Sequence, residues 1–153
     1  MNLQELFRPE DVLVGFRAID KWDAIDRILD HLVQSGSVQA EARAELGEAV
    51  LNRERSMSTG MEHGLAIPHA AVDSLKEVRA CLAVVGEAGL HFDSIDGGRT
   101  RLVVLLLIPR AKKLLHIRTL ADVARVLGRE DVREALFSAT SSEEAWHALG
   151  ETA

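Results

Sequence analysis

An uninterrupted apolar run at residues 102–108 limits the folds open to this chain more than any other segment. It reads Leu-Val-Val-Leu-Leu-Leu-Ile and is followed by Pro109. A strand that is apolar at every position must be covered on both faces, which is typical of a central strand with helices on each side. At seven residues the run is far shorter than the roughly 20 residues that span a bilayer. It therefore predicts the middle of a helix-covered sheet.

The rest of the chain alternates between strand-like and helix-like segments. Short apolar runs predict strands at 12–16, at 65–67 (ended by Pro68), at 79–85 and at an edge, 90–92. Helical periodicity begins after Asp20, with Trp22 and Ile25 on the apolar face, and ends at Ser35. Further helices are predicted at 38–52 (capped by Ser37), 112–127, 131–137 and 143–149. We therefore expect a single α/β domain over residues 1–153, with a mixed β-sheet of about five strands flanked by helices on both faces.

Charge and cysteine content narrow the function classes. The 24 acidic residues outnumber the 18 basic ones, for a net charge of −6, which argues against nucleic-acid binding because that depends on neutralising phosphates. Cys81 is the only cysteine and lies in an apolar run, which is typical of a buried small hydrophobe. The N-terminus carries no basic stretch followed by an apolar one. We expect a cytoplasmic domain.

Two histidines follow predicted strands at positions where open α/β sheets bind ligands. His69 comes directly after the strand ended by Pro68, and His116 lies early in the helix that leaves the central strand. If the two strands run parallel, the two rings can converge at one edge of the sheet. A neutral imidazole is a good nucleophile near pH 7, and a second imidazole with an arginine such as Arg53 can hold phosphoryl oxygens.

The segment around His69 resembles a known family signature. It reads Arg-Glu-Arg-Ser-Met-Ser-Thr-Gly at 53–60 and Gly-Leu-Ala-Ile-Pro-His-Ala at 64–70. Both closely resemble the enzyme IIA domain of the phosphoenolpyruvate-dependent sugar phosphotransferase system, mannitol/fructose type, including its nitrogen-regulatory branch. The helix around His116 is similar to that family's second histidine helix, and the likeness spans nearly the whole chain.

The resemblance implies a role for each matched residue. His69 matches the histidine that accepts a phosphoryl group from phosphorylated HPr or the nitrogen-branch HPr, without metal, nucleotide or other cofactor. His116 matches the histidine that hydrogen-bonds this group, and Arg53 the arginine that holds it. The implied neighbours of the phosphoryl site are Thr59, Gly60 and His63. His63 departs from the pattern, since the family usually carries an acidic or amide residue there.

Several alternatives stay open at this point. The phosphohistidine either serves as a regulatory state of a free-standing enzyme IIA or passes its group to a sugar-specific IIB domain. The resemblance implies contact with a membrane only indirectly, through a transporter. The chain could instead dock to target proteins independently of phosphorylation, or hold zinc between His63, His69 and His116. Six basic residues between 99 and 118 are either a solvated rim or a surface that attracts a phosphorylated carrier, through Lys112 and Lys113 above all.

Overall fold

The run at 102–108 forms the central strand of a five-stranded sheet. The computed structural model describes residues 2–150, in which β5 spans Leu102–Pro109 and is buried at every position. The other strands are β1 (Val12–Phe16), β2 (Leu65–Ala66), β3 (His69–Val72) and β4 (Arg79–Val85). β5 pairs with β4 on one side and with both β2 and β3 on the other.

The sheet is mixed, as the sequence predicts. β1 runs parallel to β4, β4 runs antiparallel to β5, and β2 and β3 both run parallel to β5. The order across the sheet is β1–β4–β5–β2, with β3 continuing the β2 side. The parallel arrangement of β5 with β2 and β3 is the condition under which His69 and His116 can converge.

Helices cover both faces of the sheet. They are α1 (Leu3–Leu6), α2 (Lys21–Gln34), α3 (Arg43–Ser56), α4 (Lys113–Leu127), α5 (Glu130–Ser138) and α6 (Ser142–Gly150). One apolar core lies between the sheet and α1, α4, α5 and α6, and the other between the sheet and α2 and α3. The predicted α/β class with helices on both faces is confirmed.

β5 divides its side chains between these two cores. Leu102, Val104 and Leu106 belong to the first core, whereas Val103 and Leu105 belong to the second. This alternation follows from the two-residue period of a strand. Cys81 on β4 is buried in the second core, as predicted, and burial raises the pKa of its thiol well above the usual value.

Pro68 interrupts the edge strand without ending it, which corrects the sequence prediction. His69 is the first residue of β3, opposite Leu106 in the middle of β5, and is not a loop residue beyond the strand. Proline lacks a backbone N–H, but its carbonyl still accepts a hydrogen bond from the Leu106 N–H at 3.0 Å. The register with β5 is therefore the same on both sides of Pro68.

The predicted helix at 38–52 is wrong in its first turn. Residues Ala40–Ala42 form a short 3-10 helix, and α3 begins at Arg43 without a side-chain cap. The hydroxyl of Ser37 donates instead to the carboxylate of Asp11, which is 1% exposed and needs donors. Burial of an acidic side chain from a distant segment therefore outweighs the local capping pattern.

Two smaller predictions also need correction. Trp22 is 37% exposed and lies outside the apolar face of α2, which Ala24 and Ile25 begin. The predicted edge strand at 90–92 is reduced to a single bridge between Leu90 and Thr100.

None of the helices described between residues 2 and 150 has both the length and the apolar content needed to cross a membrane. The domain boundaries at 1 and 153 stay a prediction, since residue 1 and residues 151–153 lie outside the described part of the chain.

Leu105 provides a test of the two-sided core. It is fully buried in the central strand, so Leu105→Ala is expected to lower the free energy of unfolding by about 2–5 kcal/mol because of the cavity it leaves. Ile19 is 85% exposed, and Ile19→Ala is the matched control, with an expected change within about 0.5 kcal/mol. Urea denaturation followed by circular dichroism measures both. Equal losses in the two variants would contradict the assigned position of β5.

Candidate functional site

The ring of His69 is held by a backbone carbonyl. His69 is buried, and its Nδ1 lies 2.7 Å from the carbonyl oxygen of Ile67. A carbonyl only accepts, so Nδ1 carries the proton in this contact and Nε2 of the neutral ring keeps its lone pair. Ile67, whose carbonyl makes this contact, lies between β2 and β3.

His116 meets His69 across the sheet edge. It lies in the second turn of α4, on the same helix face as Leu120 and Val123, as its spacing predicts. The centroids of the two imidazole rings are 5.4 Å apart, and the ring planes are inclined at 82°. The structure therefore brings together two histidines that are 47 positions apart in the sequence (116 − 69). At this separation, a small group bound to one ring can contact the other.

A depression of about 250 Å³ opens in front of His69. Its walls include Arg53 from the last turn of α3, and Thr59 and Gly60 from the segment that follows. Gly60 has to be a glycine here, because a Cβ at this position would approach the Phe92 carbonyl oxygen to 2.7 Å. Three of the predicted site residues thus line one concave surface with His69.

Arg53 brings positive charge to this depression. Its side chain is half-buried, and its Nη1 donates to the Met57 carbonyl oxygen at 2.8 Å. This contact closes the C-terminal end of α3, where a cation is favoured by the helix dipole. The guanidinium also acts on His69 electrostatically, as described next.

The surroundings keep the His69 ring neutral. Burial lowers the pKa of His69 most, and the charges of Arg53 and His116 lower it further. The hydrogen bond to Ile67 and the charge of Glu54 oppose these effects without reversing them. A lowered pKa means that the ring loses its proton below the usual value of about 6.5, so its Nε2 lone pair is available throughout the neutral pH range.

His63 lies apart from this arrangement. Its backbone has φ 61°, and its exposed side chain is 3.9 Å from the Glu62 carboxylate. It lines a neighbouring cavity, which shares Met61 and Ile95 with the depression at His69. The prediction that His63 neighbours a phosphoryl group stays untested. Among residues 2–150, no three His, Cys, Asp or Glu side chains are grouped as metal ligands would be, so the geometry gives the zinc alternative no support.

Sequence reasoning missed two buried charged residues behind the depression, Lys21 and Glu54. They form an ion pair of 3.2 Å, and the Glu54 carboxylate also bonds to Thr59. A signal for Glu54 was present: it follows Leu46 and Val50 at four-residue intervals, which places it on the buried face of α3. A similar signal was present for Lys21, which precedes Ile25 by four residues and Ile28 by seven on the buried face of α2.

Comparisons with known proteins identify relatives of this chain. A sequence profile for the family "Phosphoenolpyruvate-dependent sugar phosphotransferase system, EIIA 2" matches residues 5–151. A PTS system fructose-specific EIIA component from Haloferax volcanii is 34% identical over 131 residues, which are 86% of this chain and 83% of that protein. A nitrogen regulatory protein from Pseudomonas aeruginosa is 31% identical over 144 residues, or 94% of this chain and 91% of that one.

Solved structures of other proteins show the same fold. The nitrogen regulatory protein IIA-Ntr from Neisseria meningitidis superposes with a TM-score of 0.84 at 24% identity, covering 96% of this chain and 98% of its own. The mannitol enzyme IIA in complex with phosphorylated enzyme IIB from Escherichia coli gives a TM-score of 0.76 at 25% identity, covering 93% and 95%. The chain therefore belongs to the EIIA type-2 family of the sugar phosphotransferase system, as its motifs predict.

The pKa of His69 tests the electrostatics of the site. In the parent protein it is expected below about 6.5, and in Arg53→Met it is expected to rise, because a cation that opposes ring protonation is removed. The measurement is a pH titration of the imidazole signals by ¹⁵N–¹H NMR. Arg55→Met is the matched control, since Arg55 lies in the same helical turn but bonds to Asn52. An unchanged pKa of His69 in Arg53→Met would refute the assigned charge effect.

Proposed function

We propose that this chain is a phosphoryl carrier that accepts its group on Nε2 of His69. The observation that supports this most strongly is the pairing of a neutral, buried His69, anchored through Nδ1, with His116 at 5.4 Å. Family membership supports the general kind of activity, that of a phosphotransferase component. The acceptor atom, the donor and the onward route are parts of the proposal.

The proposed transfer is an in-line displacement at phosphorus. The Nε2 lone pair of His69 attacks the phosphoryl group of a phosphohistidine on HPr or the nitrogen-branch HPr. As the new N–P bond forms, the donor's N–P bond breaks, and its electron pair returns to the donor imidazole. Arg53 and His116 act on the charge of the equatorial oxygens, where such a transition state carries it.

The onward route is either a regulatory phosphorylated state or transfer to a sugar-specific IIB domain. The mannitol enzyme IIA of similar fold is known in complex with a phosphorylated IIB, which supports the second route. The nitrogen regulatory relatives, which match over most of their length, support the first. We favour the regulatory state because two nitrogen regulatory proteins match this chain over 97% and 94% of its length and over 95% and 91% of their own.

Docking independent of phosphorylation is the second candidate function. It is favoured by four large apolar side chains that are at least 66% exposed on segments next to the site: Met57, Ile95, Leu114 and Ile117. Such side chains are typical of protein-binding surfaces. A phosphorylated carrier and a target protein could both use them.

Intact mass spectrometry decides between the two candidates. Incubation with phosphoenolpyruvate, enzyme I and HPr or nitrogen-branch HPr is expected to add one acid-labile phosphoryl group, and His69→Ala is expected to abolish it. His31→Ala is the control, since His31 contacts Asp11 and the Glu10 carbonyl away from the site. Absence of the mass gain with both carriers would overturn the carrier proposal and favour docking.

Charge on α4 supports a second test of the carrier. Arg99, Arg101 and Arg110 are tied to backbone carbonyls or to Asp73, whereas Lys112 and Lys113 at the start of α4 are exposed. We propose that these lysines attract the acidic phosphorylated donor. Lys112→Ala/Lys113→Ala is therefore expected to lower the transfer rate at low ionic strength and to flatten its salt dependence. The transfer rate is measured by stopped flow at increasing salt concentration, with Lys76→Ala as the control. If the rate falls with salt equally in the double variant and the parent, the lysines do not attract the donor.

A further inference from the structure

A buried ion pair lies directly behind the site. Lys21 begins α2 and Glu54 lies in the last turn of α3; their Nζ and Oε2 atoms are 3.2 Å apart. The Glu54 side chain is 0% exposed and that of Lys21 is 8% exposed. Desolvating two charges is costly, and such pairs often stabilise a fold no more than apolar side chains would. Fixing one geometry among several is the better-attested use of a buried polar group.

The Glu54 carboxylate fixes Thr59 through both of its oxygens. Oε2 accepts from the Thr59 backbone N–H at 2.9 Å, and Oε1 accepts from the Thr59 hydroxyl at 2.6 Å. With Lys21 this makes three donors on one carboxylate. Thr59 is therefore held at its backbone and its side chain at once, although it lies in a segment outside the helices and strands.

Thr59 is connected in turn to the reacting ring. Its carbonyl oxygen accepts from the Ile67 N–H at 3.2 Å, and the Ile67 carbonyl accepts from His69 Nδ1 at 2.7 Å. Only two residues, Thr59 and Ile67, therefore separate the buried carboxylate from the histidine. Each connection is a hydrogen bond between neighbouring segments.

Lys21 also contacts Phe92 and Asp93, and Phe92 bonds to the residue before Thr59. Its Nζ is 3.5 Å from the Asp93 carboxylate and 5.6 Å from the centre of the Phe92 ring. The Phe92 carbonyl accepts from the hydroxyl of Ser58, the residue before Thr59. The Lys21 ammonium group thus helps to hold residues 58–59, both through Glu54 and through residues 92–93.

We propose that Lys21 and Glu54 are positioning residues for His69. Through Thr59 and Ile67 they keep the ring in the orientation that puts Nδ1–H on the Ile67 carbonyl and leaves Nε2 free to react. The inference rests on the proposed function of His69 as phosphoryl acceptor. Neither residue touches the reacting atoms; both act through the two connecting residues.

The experiment compares Glu54→Gln and Lys21→Met with the parent protein. Asp30→Asn is the matched control, because it breaks an exposed pair with Arg43, 2.9 Å long, between the same two helices. ¹⁵N NMR of the His69 ring gives its tautomer and its pKa. Single-turnover transfer from phosphorylated HPr, measured over a range of HPr concentrations, gives the maximal rate and KM.

Both positioning variants are expected to show a smaller fraction of the ring with the proton on Nδ1. Their maximal rate is expected to fall about tenfold or more, because a small displacement of the reacting nitrogen lowers the rate steeply. KM is expected to be unchanged, because the ion pair is remote from the donor. Glu54→Gln is also expected to lower the pKa of His69, because an anion that favours ring protonation is lost; the other charges facing the ring, Arg53 and His116, remain. Asp30→Asn is expected to match the parent.

Several results would overturn the proposal. A tautomer and maximal rate at parent values in both folded variants would do so, as would a loss of rate fully explained by the unfolded fraction seen in circular dichroism. If one charge left alone prevents folding, Lys21→Met/Glu54→Gln removes both charges and is expected to fold while still losing the tautomer preference. If the parent accepts no phosphoryl group, the proposed function fails, and the tautomer comparison still decides the positioning role.

Discussion

The burial of β5 on both faces is the constraint on which the rest of the molecule depends. A strand with seven consecutive large apolar residues is stable only when a helical layer covers each side. The two cores that result fix α3 on one face and α4 on the other. Arg53 at the end of α3 and His116 near the start of α4 thereby meet at one edge of the sheet, on either side of His69.

The edge strand contributes main-chain hydrogen bonds to the site. The Pro68 carbonyl bonds to β5, whereas the N–H and the carbonyl of the preceding Ile67 bond to Thr59 and to His69. One residue with no reactive side chain therefore links the loop that forms the wall of the depression to the ring at its centre. The chemistry proposed for His69 depends as much on this main-chain contact as on the neighbouring cations.

Local pattern was sufficient for most of the architecture. The double-sided strand and the helix face carrying His116 follow from hydrophobic periodicity, which reflects burial directly. The mixed sheet was predicted from the alternation of helix-like and strand-like segments. The predicted approach of His69 and His116 required only that β2, β3 and β5 run parallel, which they do. The family signature added the residues around the site.

The sequence was a poorer guide wherever a distant segment decided the outcome. Ser37 looks like a helix cap, but the buried carboxylate of Asp11 takes its hydroxyl. Pro68 looks like a strand end, but β3 begins at His69 and pairs with β5 in the same register as β2. Lys21 and Glu54 are 33 positions apart, and no periodicity of either helix relates them. Each case depends on tertiary contacts that no local window contains.

Residues 58–61, which line the depression, also affect how copies of this protein meet in solution. Gly60 bridges to Ala66, and the Met61 N–H bonds to the Leu65 carbonyl, so residues 60–61 lie along the outer edge of β2. Further along that edge, the Ile67 N–H bonds to the Thr59 carbonyl. An exposed sheet edge is a template for pairing between molecules. The loop that forms the depression thus also covers this edge, and a change that releases the loop would expose the edge to pairing with other molecules and disrupt the site.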